Sequence, residues 1–567
     1  MSLSSRPTVI QQADRLCALG VFLVVLAVYT ATFIGLPGNP DAEVEFQTTR
    51  SLALGEGFAI SSETPEGTGV IALRYDVREG TGGRFYSWFG IGQALAGVPF
   101  FWAGRGISAI FPQFEARHME TQAYGLSRSE YFEHLLVGWR TPLCGALTCL
   151  LLFLIARRIS VTRRMAVLAA LGYGLCTFAW PQARDNLSDV QATFLLAVCV
   201  HLHLRVRESF WQFERPARWV LASLGFAAGA MVLTRVLTAP VALVLALALA
   251  WIVIAGRKRM WSNPLLGGQA GGKRAAMDMV WFAVPAALAA AVLLWANLAR
   301  FGNPLESGYG AAVGSGTFFS YPPLLGLAGV TIAPGKGALW MAPALLLAPI
   351  GLWRLRDDRV VVALILAVAL VVSLPVIHTQ TFHGAWTYGP RYLLPAVFIL
   401  WLAVAAGFDQ LRAQSVHWVA PVLLMFGVVT SLPGVLVDQA THHDLALQAA
   451  REVWPAVPGD TERERDEHRF IALQWDWRFA APWAHWRIFR HRAAGLPEEF
   501  DAGQIYFVAP GTLLRPQHDR SRGFRHLAWV DLEERLDGRV WPAVLIVLLM
   551  LGVGSVQLVR GLDPTRP

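Results

Sequence analysis

Three carboxylates stand close together early in the chain, in Pro40-Asp41-Ala42-Glu43-Val44-Glu45-Phe46. In an extended segment, alternate residues share a face, which would set all three side by side. In a helix, Asp41 and Glu45 become neighbours instead. A carboxylate partly withdrawn from water beside a membrane can serve as a general base. The same residues also suit a helix N-terminus, because Pro40 precedes Asp41 and acids favour the first turn. On the residues alone both readings stand.

A reaction that releases an anion needs cations nearby, and three are conspicuous. Arg235, in Leu233-Thr234-Arg235, ends an apolar run on the side where basic residues are disfavoured. It either snorkels to headgroups or binds a phosphate. Lys336, in Ala333-Pro334-Gly335-Lys336-Gly337, precedes a further apolar run. Backbone N–H groups around such glycines, with a lysine, suit an anion; a simple helix break is the alternative. Arg391, in Gly389-Pro390-Arg391-Tyr392, stands at another helix start. Weaker signals are the glycine-aromatic stretch Gly82–Gln93 containing Tyr86, the segment Asn297–Tyr309 containing Glu306, and the histidines His378, His383, His442 and His443. Lone histidines are more often structural than metal ligands. Asn186-Leu187-Ser188 matches a glycosylation sequon, a weak signal by itself.

The elements that must position these residues are membrane helices. The 567 residues are 54% hydrophobic and 16% charged, against about 25% charged in a soluble domain. Apolar runs of about twenty residues, enough to cross a bilayer, alternate with short polar loops. Hydropathy predicts an all-α polytopic protein with about twelve spans. They fall near 16–35, 137–156, 165–180, 190–204, 219–237, 239–256, 279–298, 337–353, 359–377, 392–409, 416–436 and 540–559. The stretch 90–111 carries Pro99, Arg105 and several glycines and is expected to lie at the interface.

Basic residues gather in alternate short loops, around Arg157–Arg164, Arg205–Arg218, Arg257–Arg274, Arg354–Arg359 and Arg412, and in the tail at Arg560. The positive-inside rule makes those loops and the N-terminus cytoplasmic. The carboxylates and the three cations then lie on the outer side, in a plasma or inner membrane. The formal charge of +8 is explained by these loops, so no nucleic-acid partner is expected. The domain reading is a membrane catalytic unit over 1–436, with interfacial helices in the external loop 36–136. A small external segment over 437–539 and a last span with a cytoplasmic tail over 540–567 follow. All five cysteines fall in or beside apolar runs, so no disulfide framework is expected. No phosphate loop, dinucleotide fingerprint or HExxH motif occurs.

Several segments together resemble the GT-C superfamily, membrane glycosyltransferases that use polyprenyl-phosphate-linked sugars. The resemblance is to the family 39 type: bacterial relatives of protein O-mannosyltransferases and of the aminoarabinose transferase acting on lipid A. It rests on Asp41–Leu52, on Arg84-Phe85-Tyr86-Ser87 with Gly90, Gly92 and Gln93, on Phe301–Tyr309, on Pro334-Gly335-Lys336-Gly337, and on Gly389–Pro395. Ala42 stands where the family motif often has Glu, Trp88 where it has Lys, and Asp189 where relatives often carry Glu. The resemblance implies inverting transfer of a sugar from a polyprenyl-phosphate donor to an acceptor hydroxyl on a glycan, lipid or protein at the outer face. Asp41, helped by Glu43, would be the catalytic carboxylate. Arg235, Lys336 and Arg391 would hold the donor phosphate. Tyr86, Asp189, Glu306, Tyr309, His383 and Tyr392 would line the substrate site. No cofactor is required, no metal ligand is assigned, and a divalent metal is left open. The competing readings are an O-antigen ligase or polymerase-like enzyme, a transporter, and a non-catalytic lipid-binding scaffold.

Overall fold

A computed structural model describes residues 11–35, 39–60, 77–112, 130–261, 272–310, 318–414, 416, 418–454, 462–516, 527–535 and 540–563. Helices dominate. Among the described residues the strands form a three-stranded antiparallel sheet, Ala59–Ile60, Phe85–Ser87 and Val77–Glu79 in that spatial order, and a two-stranded pair, Phe500–Asp501 with Leu513–Leu514.

Nine helices among the described residues are long and apolar enough to cross a membrane: Gln12–Ala31, Tyr131–Arg158, Ser188–Trp211, Val236–Met260, Ala276–Phe301, Arg359–His378, Arg391–Arg412, Val419–Leu436 and Trp541–Leu562. Many of their large side chains face outward, including Leu243, Leu247, Leu288, Trp295 and Leu549. Contiguous exposed apolar surface of this kind needs lipid around it. The chain is a multi-pass membrane protein.

Three of the twelve expected spans do not form long continuous helices. The helix Arg163–Leu175 has 13 residues and gives way at Cys176 to a turn before Ala179–Gln182. Arg218–Thr234 is apolar but has only 17 residues. The segment expected over 337–353 is split into Ala338–Met341, a 3₁₀ turn Pro343–Leu347 and Ala348–Arg354. Pro343 begins the second piece and Pro349 lies in the first turn of the third, since proline supplies no N–H to a preceding turn. The stretch expected at the interface is one helix, Ile91–Ile110, packed on Pro40–Ala53 and Tyr131–Arg158.

The first and last spans lie against each other through small residues. A Cβ on Gly20 would come within 2.7 Å of Leu558, and one on Gly561 within 2.5 Å of the Cys17 sulfur. Close approach of backbones through glycine is how helices associate where lipid removes the hydrophobic drive. The five cysteines are buried and unbridged. Described residues between Val437 and Leu514 form a second, smaller core that includes Leu445, Phe470, Phe479, Ile488, Phe500 and Tyr506.

The helix Tyr131–Arg158 shows how the polar groups are divided. It has 28 residues, about 42 Å of rise. Near its start His134 meets Glu43 at 3.3 Å, and near its end Arg157 meets Asp14 at 2.9 Å. The Asp41 helix and the arginine-rich loops therefore occupy opposite ends of the bundle.

Candidate functional site

The Pro40–Ala53 segment is a helix, and its local sequence explains why. Asn39 caps it, its side-chain oxygen accepting from the Ala42 N–H at 3.0 Å. Pro40 occupies the first turn, Asp41 and Glu43 complement the positive end, and Arg50 complements the negative end. Asp41 thus points from a fixed helix start, its side chain about one-fifth exposed (21%).

Facing it is Arg391. The loop ahead of Arg391 turns at Gly389, whose φ is +83°; a Cβ there would also press on Phe178 at 2.9 Å and on the Met341 sulfur at 3.0 Å. Only glycine suits that turn. Asp41 Oδ2 lies 2.6 Å from Arg391 Nη1. Arg391 Nη2 donates to the Tyr392 hydroxyl at 3.1 Å. The Arg391 and Arg235 guanidinium carbons lie over the Tyr392 ring, at 4.9 and 4.8 Å from its centroid. Arg235 closes the helix Arg218–Thr234 and pairs with the buried Asp189 at 2.7 Å. Five residues singled out from the sequence (Asp41, Asp189, Arg235, Arg391 and Tyr392) therefore form one contiguous cluster, drawn from four separate segments.

Beneath the cluster lies a buried polar layer that sequence reasoning missed. Asp185 accepts from the Asn39 side chain and from the Asn186 N–H, holding the start of the Asp41 helix against the 183–187 loop. Arg140 is 3% exposed; it donates to Asn186 Oδ1 at 2.6 Å and to the Gln93 carbonyl at 3.0 Å, and it also reaches Gln191. Gln191 in turn donates to Thr234 at 3.0 Å, next to Arg235. A charged residue inside the apolar run 137–156 was the available signal for Arg140. Asn186 is 4% exposed and fully engaged, so the sequon lies in the interior and offers no surface acceptor for a glycan.

The helix separates the three early carboxylates. Glu43, two residues beyond Asp41, is 1% exposed; it accepts from Gln47 at 2.6 Å and faces His134. It is no part of the Asp41 cluster, because residues two apart on a helix diverge. Glu45, one turn beyond Asp41, is 3% exposed, and neither carboxyl oxygen has a hydrogen-bond partner. Burial pushes the Glu45 carboxyl up to about 8, against the opposing pull of Arg140 and Arg300. At neutral pH it is mainly protonated, which limits the cost of its unpaired oxygens.

Lys336 and His383 belong to a group that adjoins the cluster on its Arg391 side, close enough for the Lys336 and Arg391 charges to oppose each other. Lys336 is 4% exposed; it donates to the Ala385 carbonyl and lies 5.2 Å from the Phe470 ring centroid. The glycine N–H groups beside it are engaged, Gly335 to Gln474 at 3.0 Å and Gly337 to Ala333 at 2.8 Å. The backbone anion nest expected there is therefore occupied by the fold. His383 stacks edge-on against the same Phe470 at 4.4 Å. His442, His443 and His485 complete the group, where the small second core meets the bundle. Burial lowers the Lys336 ammonium well below its usual range and holds His443 and His485 down at about 3, so these imidazoles are neutral.

The remaining expected residues lie elsewhere. Tyr86 is buried in the three-stranded sheet, its hydroxyl bonded to Thr81. Glu306 closes its own loop, accepting from Gly308 N–H at 2.7 Å and Gly310 N–H at 2.9 Å. Tyr309 stacks on Trp88 at 4.9 Å. Among the described residues no three His, Cys, Asp or Glu side chains form a metal-ligand set.

No family model matches the chain, and no curated protein matches it. Among solved structures it is similar to ArnT from Cupriavidus metallidurans bound to undecaprenyl phosphate, with 14% identity, a TM-score of 0.39, and 96% of this chain aligned to 76% of that one. ArnT from the same organism in the apo state gives 15% identity, a TM-score of 0.42 and the same coverage. The Archaeoglobus fulgidus oligosaccharyltransferase in the apo form gives 14% and 0.40, with 80% of this chain aligned to 59% of that one. Likeness at these values fixes neither reaction nor substrate.

Proposed function

We propose that this protein is an inverting membrane glycosyltransferase that moves a sugar from a polyprenyl-phosphate donor to an acceptor hydroxyl at the non-cytoplasmic face. One observation carries the reading: a partly exposed carboxylate, Asp41, sits 2.6 Å from Arg391, with Arg235 gathered by the shared Tyr392 ring. A base and two cations converge at one end of a membrane bundle, opposite the arginine-rich loops that the positive-inside rule assigns to the cytoplasm.

Transfer requires that the acceptor hydroxyl lose its proton as its oxygen bonds to the anomeric carbon, while the carbon–oxygen bond to phosphate breaks. Asp41 takes that proton. The departing phosphate gains negative charge, and Arg391 and Arg235 supply fixed donors for it in a site shielded from water. A guanidinium has five N–H groups, so Arg391 can hold Asp41 and a phosphate oxygen together. Asp189 keeps Arg235 in place and Tyr392 orients both cations. Neither Glu43 nor Lys336 is needed for these steps. The same polar end, set at a helix terminus and not at mid-bilayer, disfavours the transporter reading.

The test is release of undecaprenyl phosphate by the purified full chain in vesicles, supplied with a panel of radiolabelled undecaprenyl-phosphate sugars and an envelope extract as acceptor. Asp41→Asn is expected to lower turnover per folded molecule about 10²- to 10⁴-fold while the protein still expresses and folds. Unchanged turnover in Asp41→Asn would refute the assignment of the base.

A further inference from the structure

A second charged site lies at the other end of the bundle. A cavity opens there among the start of Gln12–Ala31, the end of Tyr131–Arg158 and the end of Ser188–Trp211. Arg15, Arg158 and Arg205 line it, opposed by Glu208 and Glu214, with His201 in its wall. Three guanidiniums against two carboxylates leave a formal charge of +1, before any proton on His201.

The cavity is built to meet an acceptor. The Arg158 side chain is only 9% exposed and pairs with Glu208, yet its buried Nε has no hydrogen-bond partner. His201 Nδ1 is likewise buried and unpartnered. Buried polar groups left without a partner are costly unless something fills the site. Arg205 stacks over Trp219 at 4.9 Å, and Trp219 is 58% exposed. An exposed tryptophan at the end of membrane helices marks the headgroup level. Leu154 adds an apolar wall on the same side.

We infer that this cavity binds the phosphate of an anionic phospholipid headgroup, in the leaflet opposite the Asp41 site. A single net positive charge matches a phosphodiester carrying one negative charge. Basic pockets between membrane helices are established headgroup sites, and Arg205 joins this cavity to the exposed Trp219 at the headgroup level.

The test is native mass spectrometry of the delipidated full chain titrated with phosphatidylglycerol, phosphatidylcholine or inorganic phosphate. Wild type is expected to retain phosphatidylglycerol over phosphatidylcholine. Arg15→Gln and Arg205→Gln, made singly, are each expected to weaken phosphatidylglycerol about five-fold. Arg356→Gln, which removes an arginine stacked on Trp353 outside the cavity, is expected to have no effect. Equal losses in all three variants, or none in any, would overturn the assignment. So would inorganic phosphate competing as well as the lipid, which would identify a soluble-anion site.

Discussion

The two ends of the bundle each hold an aspartate among arginines, and they are built differently. At the arginine-rich end Asp14 is fully buried. It accepts from Arg157 Nε and Arg163 Nε, both at 2.9 Å, and from the Gln11 N–H at 3.0 Å. Its charge ties three segments together at the base of the first span. At the other end Asp41 keeps 21% of its side chain exposed, and the cations near it, Arg391 and Arg235, are coupled through an aromatic ring. A carboxylate enclosed by partners holds a fold together. One left reachable beside a cation can exchange protons with a substrate. Similar residue types at similar spacing therefore take different work from how completely the surroundings enclose them.

Exchanging each aspartate for asparagine separates the two roles. Asp41→Asn is expected to remove turnover and to cost less stability than Asp14→Asn, because it strands one guanidinium and not two. Asp14→Asn is expected to spare turnover while costing about 3–5 kcal/mol of stability, because two guanidiniums lose their buried counter-charge. Thermal unfolding in detergent, set beside donor turnover per folded molecule, reads both. If Asp14→Asn cut turnover per folded molecule as deeply as Asp41→Asn, the division between the ends would fail.

The next effect sharpens the cation side. Arg391→Lys keeps the charge but loses the planar fork that spans Asp41 and the Tyr392 hydroxyl. A fall of about 10²-fold in kcat is expected, with a smaller change in KM for the donor. A change confined to KM would mean that Arg391 only recruits the lipid.

The smallest effect concerns Glu45. Its folded pKa of about 8 lies above its ordinary value of 4.5. The fold therefore binds that proton more tightly than the unfolded chain does. The stabilisation is complete below the ordinary value and is lost as pH rises toward 8. Glu45→Gln mimics the protonated form, so its melting temperature should fall less than that of wild type between about pH 5 and about pH 8. Parallel curves for the two proteins would show that Glu45 is charged in the fold.

Much of the architecture was legible because membrane spans are written as continuous apolar runs. The three that failed did so for local reasons: Pro343 and Pro349 break one, and Leu175 and Thr234 end two others early. The core of the candidate cluster was legible too: Arg235 and Arg391 are cations at outer helix ends, and Asp41 stands in a run of three carboxylates. Lys336 carried the same signal but meets Phe470 and the second core, a contact between residues 134 positions apart that no local pattern records. Arg140 and Asp185 were passed over for the mirror reason. Their importance comes from partners such as Asn39 and Gln93 that only folding brings near.

The most direct test is a cryo-electron microscopy map of the full chain with undecaprenyl phosphate added. Phosphate density is expected within hydrogen-bond reach of both the Arg391 and Arg235 guanidiniums, with Asp41 on the side open to an acceptor. Density at Lys336, or solely in the arginine cavity at the opposite end, would contradict the assignment of the Asp41 cluster as the site of transfer.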